Sequence, residues 1–212
     1  MSDGLTIAVP RGALFSETLD VLDSLGMDTT EIRSNERKLV FSDIGVITMR
    51  PSDVPSYVEH GAADVGITGR DVLQEQADRD VYELLDLGFG ACRMIVAART
   101  DHDTLGESLR RLGRVRIATK YPRIAARHFA ATGRQAEIVE VKGSVEIAPL
   151  TGLADGIVDL TATGRTLTEN RLEERELIFE STARLIANPV AHRLKAAAID
   201  DLVARLREVV PA

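Results

Sequence analysis

Residues 152–167 read Gly-Leu-Ala-Asp-Gly-Ile-Val-Asp-Leu-Thr-Ala-Thr-Gly-Arg-Thr-Leu. Asp155 and Gly156 make a turn, Ile157–Leu160 is a short apolar strand, and a loop of hydroxyls around a glycine follows. A short helix is expected to begin near Thr166. Strand, loop and helix in immediate succession is the repeating unit of layered α/β folds. The loop also has a chemistry. Thr161, Thr163 and Thr166 carry hydroxyl donors, and Gly164 lets the backbone turn so that N–H groups converge on an anion. The positive end of the helix would point the same way. This is a phosphate cradle without the lysine of a P-loop; the alternative is an ordinary turn capped by threonines. Asp155 and Asp159 stand four residues apart on the approach. A carboxylate beside a phosphate loop suits a sugar diol, or a magnesium-bound diphosphate, better than the phosphate itself.

The same alternation extends in both directions. Upstream, strands are expected at 5–9, 38–41, 46–49, 65–68, 92–98, 115–118 and 137–141, and helices at 14–25, 52–59, 70–77, 104–112 and 122–131. Pro51 and Pro122 would open two of these helices. Downstream, 177–186 reads as one long strand. A helix over 190–209 would line up Val190, Leu194, Ala198, Leu202, Leu206 and Val209 as an apolar stripe. Short strands alternating with helices predict an α/β protein with mainly parallel sheets. No flexible linker interrupts the chain, so domain boundaries are expected at crossovers. Residues 1–90 with 180–212 would form lobe I, and 91–179 lobe II with the phosphate loop. Gly61–Gly69 faintly echoes Gly152–Asp159, each a helix end, a turn Asp and a strand.

Composition narrows the function. The chain has 212 residues, enough to bury a sizeable core, and a net charge of −7. That charge opposes nonspecific binding to nucleic acid or anionic membranes. Aromatic residues are only 4%, too few for stacking single strands. One cysteine, Cys92, precludes an internal disulfide, and its apolar strand suggests a buried inert thiol. The four histidines are scattered, without the spacing of a zinc site. No leader or spanning segment is evident in the sequence, so the expected compartment is the cytoplasm.

The loop is similar to the 5-phosphoribosyl diphosphate (PRPP) loop of phosphoribosyltransferases, in which an acidic residue precedes TGxTL. More narrowly, the chain resembles the ATP phosphoribosyltransferases, in their short form without a C-terminal regulatory domain. The segments that carry the resemblance are IAVPRGAL (7–14), VEHGAADVGITGRDVL (58–73), ACRMIVA (91–97), RIATKYPRIAARHF (116–129) and GSVEIAPLTGLADGIVDLTATGRTL (143–167). The resemblance implies two α/β lobes like those of type II periplasmic binding proteins, with the active site in the interlobe cleft. It implies transfer of phosphoribose from PRPP to N1 of ATP, with inversion and release of diphosphate. It assigns PRPP to Thr161, Ala162, Thr163, Gly164, Arg165, Thr166 and Leu167. Asp159, with Asp155, would orient the ribose hydroxyls. Arg11, Gly12, Arg37, Lys38 and Gly69 would serve the ATP side, with Arg11 also counted among the catalytic residues. The family usually has Lys-Gly-Arg-Leu where this chain has Arg11-Gly12-Ala13-Leu14, so the second basic residue of that motif is absent. Magnesium would arrive on the PRPP diphosphate, held mainly by substrate oxygens. The resemblance also implies a regulatory subunit like histidyl-tRNA synthetase, with the catalytic chain a dimer inside a hetero-octamer. Two other classes are a two-lobed solute-binding module, which the TGRTL loop opposes, and a phosphoribosyltransferase acting on a free base.

Overall fold

In the computed structural model, which describes residues 4–35 and 37–210, the alternation resolves into two mixed sheets. The strands are β1 (Ile7–Pro10), β2 (Val40–Phe41), β3 (Val46–Met49), β4 (Val65–Gly69), β5 (Tyr82–Asp86), β6 (Cys92–Arg99), β7 (Arg114–Thr119), β8 (Gln135–Glu140), β9 (Gly156–Thr161), β10 (Leu172–Ser181) and β11 (Ala183–Ala187). The chain forms two compact units. One takes the described residues up to Ala91 and those from Thr182 onward; the other is Cys92–Ser181.

The first unit holds the sheet β2-β3-β1-β4-β11-β5. Here β1 lies parallel to β3, with Ile7 beside Val46, and to β4, with Ile7 beside Val65. Strand β11 runs antiparallel to both β4 and β5. Alternate residues serve opposite faces. Ile7 and Val9 join Leu19, Leu22, Leu185 and Ile199 in one core cluster, while Ala8 joins Val54, Val58 and Ile186 in another. Burial on both faces is why such strands read as unbroken apolar runs.

The second unit holds the sheet β10-β6-β9-β7-β8. Strand β7 is parallel to β8 and β9, and β6 lies antiparallel between β9 and β10. Met94, Val96 and Val158 pack with Ile117 and Phe129 on one face; Ile95, Ala97 and Ile157 pack with Ala118 and Leu167 on the other. Helices Thr104–Leu112 and Pro122–Ala131 occupy the spans expected for them. Asp103 caps the former by accepting the Gly106 N–H at 3.0 Å.

Several expectations are corrected. The sheets are not mainly parallel: four of the nine strand pairings among the described residues are parallel. The antiparallel partners cluster where the chain passes between sheets, since a parallel neighbour requires a long crossover. The stretch 177–186 is not one strand. It divides at Thr182 into β10 and β11, which belong to different sheets. The C-terminal helix is two helices, Pro189–Leu194 and Ala196–Val209. They part at Lys195, whose Nζ donates to the Gly4 carbonyl and to Asp64 Oδ2. The break rotates the stripe out of phase: Leu202 and Leu206 are buried, but Val190 is 62% and Leu194 80% exposed. Pro51 lies in a turn ahead of helix Val54–Glu59, and Pro55 takes the helical first turn. Strand β5 and helices Thr30–Ser34 and Ile147–Leu150 escape the pattern because each is short and poorly periodic.

Candidate active site

The loop after β9 is built by its own side chains. The Gly164 N–H donates to Thr161 Oγ1 at 2.9 Å, closing the turn from the strand end. Gly164 has φ of +76°, a left-handed conformation open to glycine and costly for other residues. Helix Arg165–Glu169 begins immediately after it. The Arg165 N–H leans on Thr163 Oγ1 at 3.4 Å, and the N–H groups of Thr166 and Leu167 fall in the first turn, where a helix supplies no acceptor of its own. Ala162, Thr163, Arg165 and Thr166 are exposed, while Leu167 is buried and anchors the helix in the core. The Arg165 guanidinium is paired with Glu169 at 2.8 Å. The arrangement offers backbone and hydroxyl donors on a rigid base, which suits an anion.

Asp159 sits two residues before Thr161 on the same face of β9, directly opposite Ile95 of β6. It is 9% exposed. Burial pushes its carboxyl above the ordinary aspartate value, opposed by Lys120 and by the Leu160 N–H, with Glu146 adding to the rise. The Lys120 Nζ lies 3.3 Å from Asp159 Oδ1, and the Leu160 N–H donates to the same oxygen at 2.8 Å.

Two basic residues near this loop went unassigned in the sequence. Lys120 follows β7, in which Thr119 is level with Val158 of β9. Arg93 of β6 lies opposite Thr161 and pairs with Glu174 at 2.9 Å, while its buried Nε has no hydrogen-bond partner. A basic residue just past the end of one strand, and another near the start of a second, was the available signal. It becomes informative only once the strand register is known.

Asp155 stands apart from Asp159 in the structure. It precedes β9, so that about 13 Å of strand separates the two. Its Oδ1 accepts from Ser108 Oγ at 2.8 Å and its Oδ2 from the Arg116 N–H at 2.6 Å. Its main-chain carbonyl accepts from Thr104 Oγ1. Asp155 thereby ties helix Thr104–Leu112 and β7 to the start of β9.

In the other unit, Arg11 follows β1, with Nε donating to Thr48 Oγ1 at 2.9 Å and its terminal nitrogen to the Lys38 carbonyl at 2.8 Å. Its guanidinium also lies over the Phe15 ring. Gly12 is exposed beside it. Lys38 is paired with Glu31 at 2.7 Å and lies over Phe41, and Arg37 is exposed. Arg11 and Lys38 therefore share one surface of this unit, joined through a carbonyl. Gly69 ends β4 and caps helix Arg70–Glu75 in an extended conformation, buried against Asp71. Cys92 is half-buried, not enclosed as expected. His128 belongs to a cluster in which Glu176 accepts from Arg134, which together with His128 holds the Glu176 carboxyl below the ordinary range. This cluster joins helix Pro122–Ala131 to β10.

A family model described as HisG: ATP phosphoribosyltransferase matches residues 50–208. The ATP phosphoribosyltransferase of Rubrobacter xylanophilus is 53% identical over 204 residues, covering 95% of this chain and 94% of that protein. The ATP phosphoribosyltransferase of Bacillus subtilis is 45% identical over 210 residues, covering 97% of this chain and 95% of that protein. A solved ATP phosphoribosyl transferase (HisG:HisZ) complex from Thermotoga maritima matches with a TM-score of 0.80 and 35% identity, covering 97% of this chain and 98% of that one. The periplasmic aliphatic sulphonate binding protein SsuA from Escherichia coli matches with a TM-score of 0.62 at 13% identity, covering 96% of this chain and 71% of that one. That last likeness concerns the fold alone.

Proposed function

The chain belongs to the ATP phosphoribosyltransferase family, and from that premise we infer how its residues divide the work. The enzyme transfers the 5-phosphoribosyl group of PRPP to N1 of ATP, the first step of histidine biosynthesis. The N1 lone pair attacks the anomeric carbon, the bond to the diphosphate oxygen breaks, and both electrons leave with diphosphate. N1 carries a lone pair at neutral pH, so the reaction requires no strong general base. Catalysis falls to orientation and to stabilising charge as it moves onto the leaving group.

The loop Thr161–Leu167 holds the 5-phosphate of PRPP in our reading. The observation that carries it is a left-handed Gly164, locked by Thr161, placing the start of a helix among exposed hydroxyls. Asp159 accepts hydrogen bonds from the ribose hydroxyls, a task for an ionised carboxylate. Arg11 serves the phosphate-rich nucleotide, with Gly12, Arg37, Lys38 and Gly69 in support. Thr48 and the Lys38 carbonyl hold the Arg11 guanidinium in one orientation. Magnesium carried on the PRPP diphosphate would be held mainly by substrate oxygens and would supply charge neutralisation on the leaving group. The loop donors are N–H and O–H groups, suited to oxygen anions and not to a cation.

The near-complete coverage of relatives of similar length supports the short form. On that reading the chain works as a dimer within a hetero-octamer, in the cytoplasm, beside a regulatory subunit resembling histidyl-tRNA synthetase. The Thermotoga complex of HisG with HisZ is the precedent. The test is PRPP-dependent formation of the ATP adduct, with and without that subunit, under titration with histidine. Histidine should inhibit the reconstituted complex far more than the catalytic chain. Equal inhibition constants would reject a histidine site on the partner, and consumption of a free base in place of ATP would reject the nucleotide assignment.

A further inference from the structure

We propose that Lys120 is a positioning residue that keeps the Asp159 carboxylate ionised and aimed at the ribose of PRPP, an inference that rests on the role given to Asp159 above. The two groups differ in a telling way. The Asp159 side chain is 12% exposed and that of Lys120 43%, so a solvated ammonium closes over a buried carboxylate at 3.3 Å. Exposed ion pairs contribute little. Here one member has lost most of its water, and removing the other leaves a buried charge without its partner.

Among the described residues, a second cation on this face of the sheet is Arg93 of β6, diagonal to Asp159 and paired with Glu174 at 2.9 Å. Across the sheet Asp159 faces Ile95 of β6, and on its own face of β9 the neighbour is Ile157. Helix Arg165–Glu169 turns the buried Leu167 toward this core, and its Arg165 is committed to Glu169. The charged group that precedes helix Ile147–Leu150 is Glu146, which opposes ionisation of Asp159. Lys120 is the cation that favours it.

The backbone fixes Lys120 in this place. The buried Thr119 donates from Oγ1 to the Val158 carbonyl at 2.6 Å and accepts the Tyr121 N–H at 2.8 Å. One hydroxyl thus binds β7 to β9 at the residue before Asp159 and sets the turn that carries Lys120. The ammonium also lies 5.2 Å from the centroid of the Tyr121 ring, a cation–π contact that limits its swing.

The experiment compares the full chain with K120M and K120R, using PRPP kinetics across pH and NMR of aspartate labelled with 13C at the carboxyl carbon. D159N identifies the Asp159 signal. In K120M the Asp159 signal should titrate at higher pH than in the parent. Its kcat/KM for PRPP should fall about tenfold or more in acid solution, with the loss narrowing as pH rises. K120R should restore both. If K120M unfolds, K120Q takes its place, with melting temperature as the control. An unchanged Asp159 titration, or a loss of activity equal at all pH values, overturns the proposal. Full activity in D159N would instead overturn the role of Asp159, while the titration still reports whether Lys120 governs its charge.

Discussion

The tripeptide Thr-Gly-Arg occurs at two strand ends, as Thr68-Gly69-Arg70 after the body of β4 and as Thr163-Gly164-Arg165 after β9. Each introduces a short helix. In the first, Gly69 is extended with φ of −78°, Thr68 is fully buried, and the Thr68 hydroxyl donates to the Pro51 carbonyl at 2.9 Å. In the second, Gly164 is left-handed, Thr163 is exposed, and a Cβ built on Gly164 meets nothing within 4 Å. One glycine accommodates packing and the other shapes an open surface. The same letters therefore make a buried joint in one unit and an exposed turn in the other. The difference arises from what each strand end is packed against.

That contrast can be broken most decisively at Asp159. Asp159→Asn should retain the fold and lose about tenfold to a hundredfold in kcat/KM for PRPP, equivalent to roughly 1.5–3 kcal/mol for a charged hydrogen bond. Steady-state kinetics that stay within twofold of the parent would remove Asp159 from the site. Stability should respond in the opposite sense. Burial raises the folded-state pKa of Asp159, so the folded chain holds this proton more tightly than the unfolded one. The contribution of Asp159 to stability therefore falls as pH rises from its ordinary value through the folded one. Urea unfolding should find D159N at least as stable as the parent at neutral pH, with the advantage vanishing in acid.

Gly66→Ala tests the packed side of the comparison. An added Cβ would lie 2.6 Å from Val54 Cγ1 and 2.8 Å from Val58 Cγ2, both in residues fully buried on helix Val54–Glu59. Branched side chains in a filled core have little room to move, and a loss of about 1–3 kcal/mol in unfolding free energy is expected. Gly164→Ala sharpens the open side. It should cost about 1 kcal/mol of stability from backbone strain alone, and weaken PRPP binding about tenfold by placing a methyl group in the open space in front of the loop. Equal PRPP affinity in the folded variant would show that the loop does not hold the phosphate. Gly69→Ala should have the smallest effect. Gly69 has φ of −78°, which any residue adopts, and its new Cβ would meet the carboxylate of Asp71. A melting temperature depressed as much as that of Gly66→Ala would indicate that Asp71 is held as firmly as the valines.

Much of the architecture was legible because buried strands in this chain are apolar on both faces and because glycine and proline punctuate the helices. Ile157–Leu160, Cys92–Ala98 and Pro122–Ala131 are cases where local pattern and tertiary environment agree. The expectation of one strand at 177–186 went astray because β-propensity continues through Thr182 while the hydrogen-bonding partner changes from β6 to β4. The unbroken C-terminal stripe went astray at Lys195, whose side chain is held by Gly4 and Asp64, far away in sequence.

At the site, sequence alone determined that a strand enters a hydroxyl-rich loop around a glycine, with Asp159 at the approach. Those features depend on residues within a few positions of one another, and local sterics and hydrogen bonding suffice to create them. Only the tertiary structure separated Asp159 from Asp155. The two are equivalent as carboxylates, but one is desolvated beside Lys120 and the other is consumed by Ser108 and the Arg116 N–H. Their difference is electrostatic and depends on strand register, which brings Thr119 level with Val158 and thus carries Lys120 to Asp159 from 39 residues away. A one-dimensional pattern records which groups are present; the charge state and direction of each come from neighbours that only folding supplies.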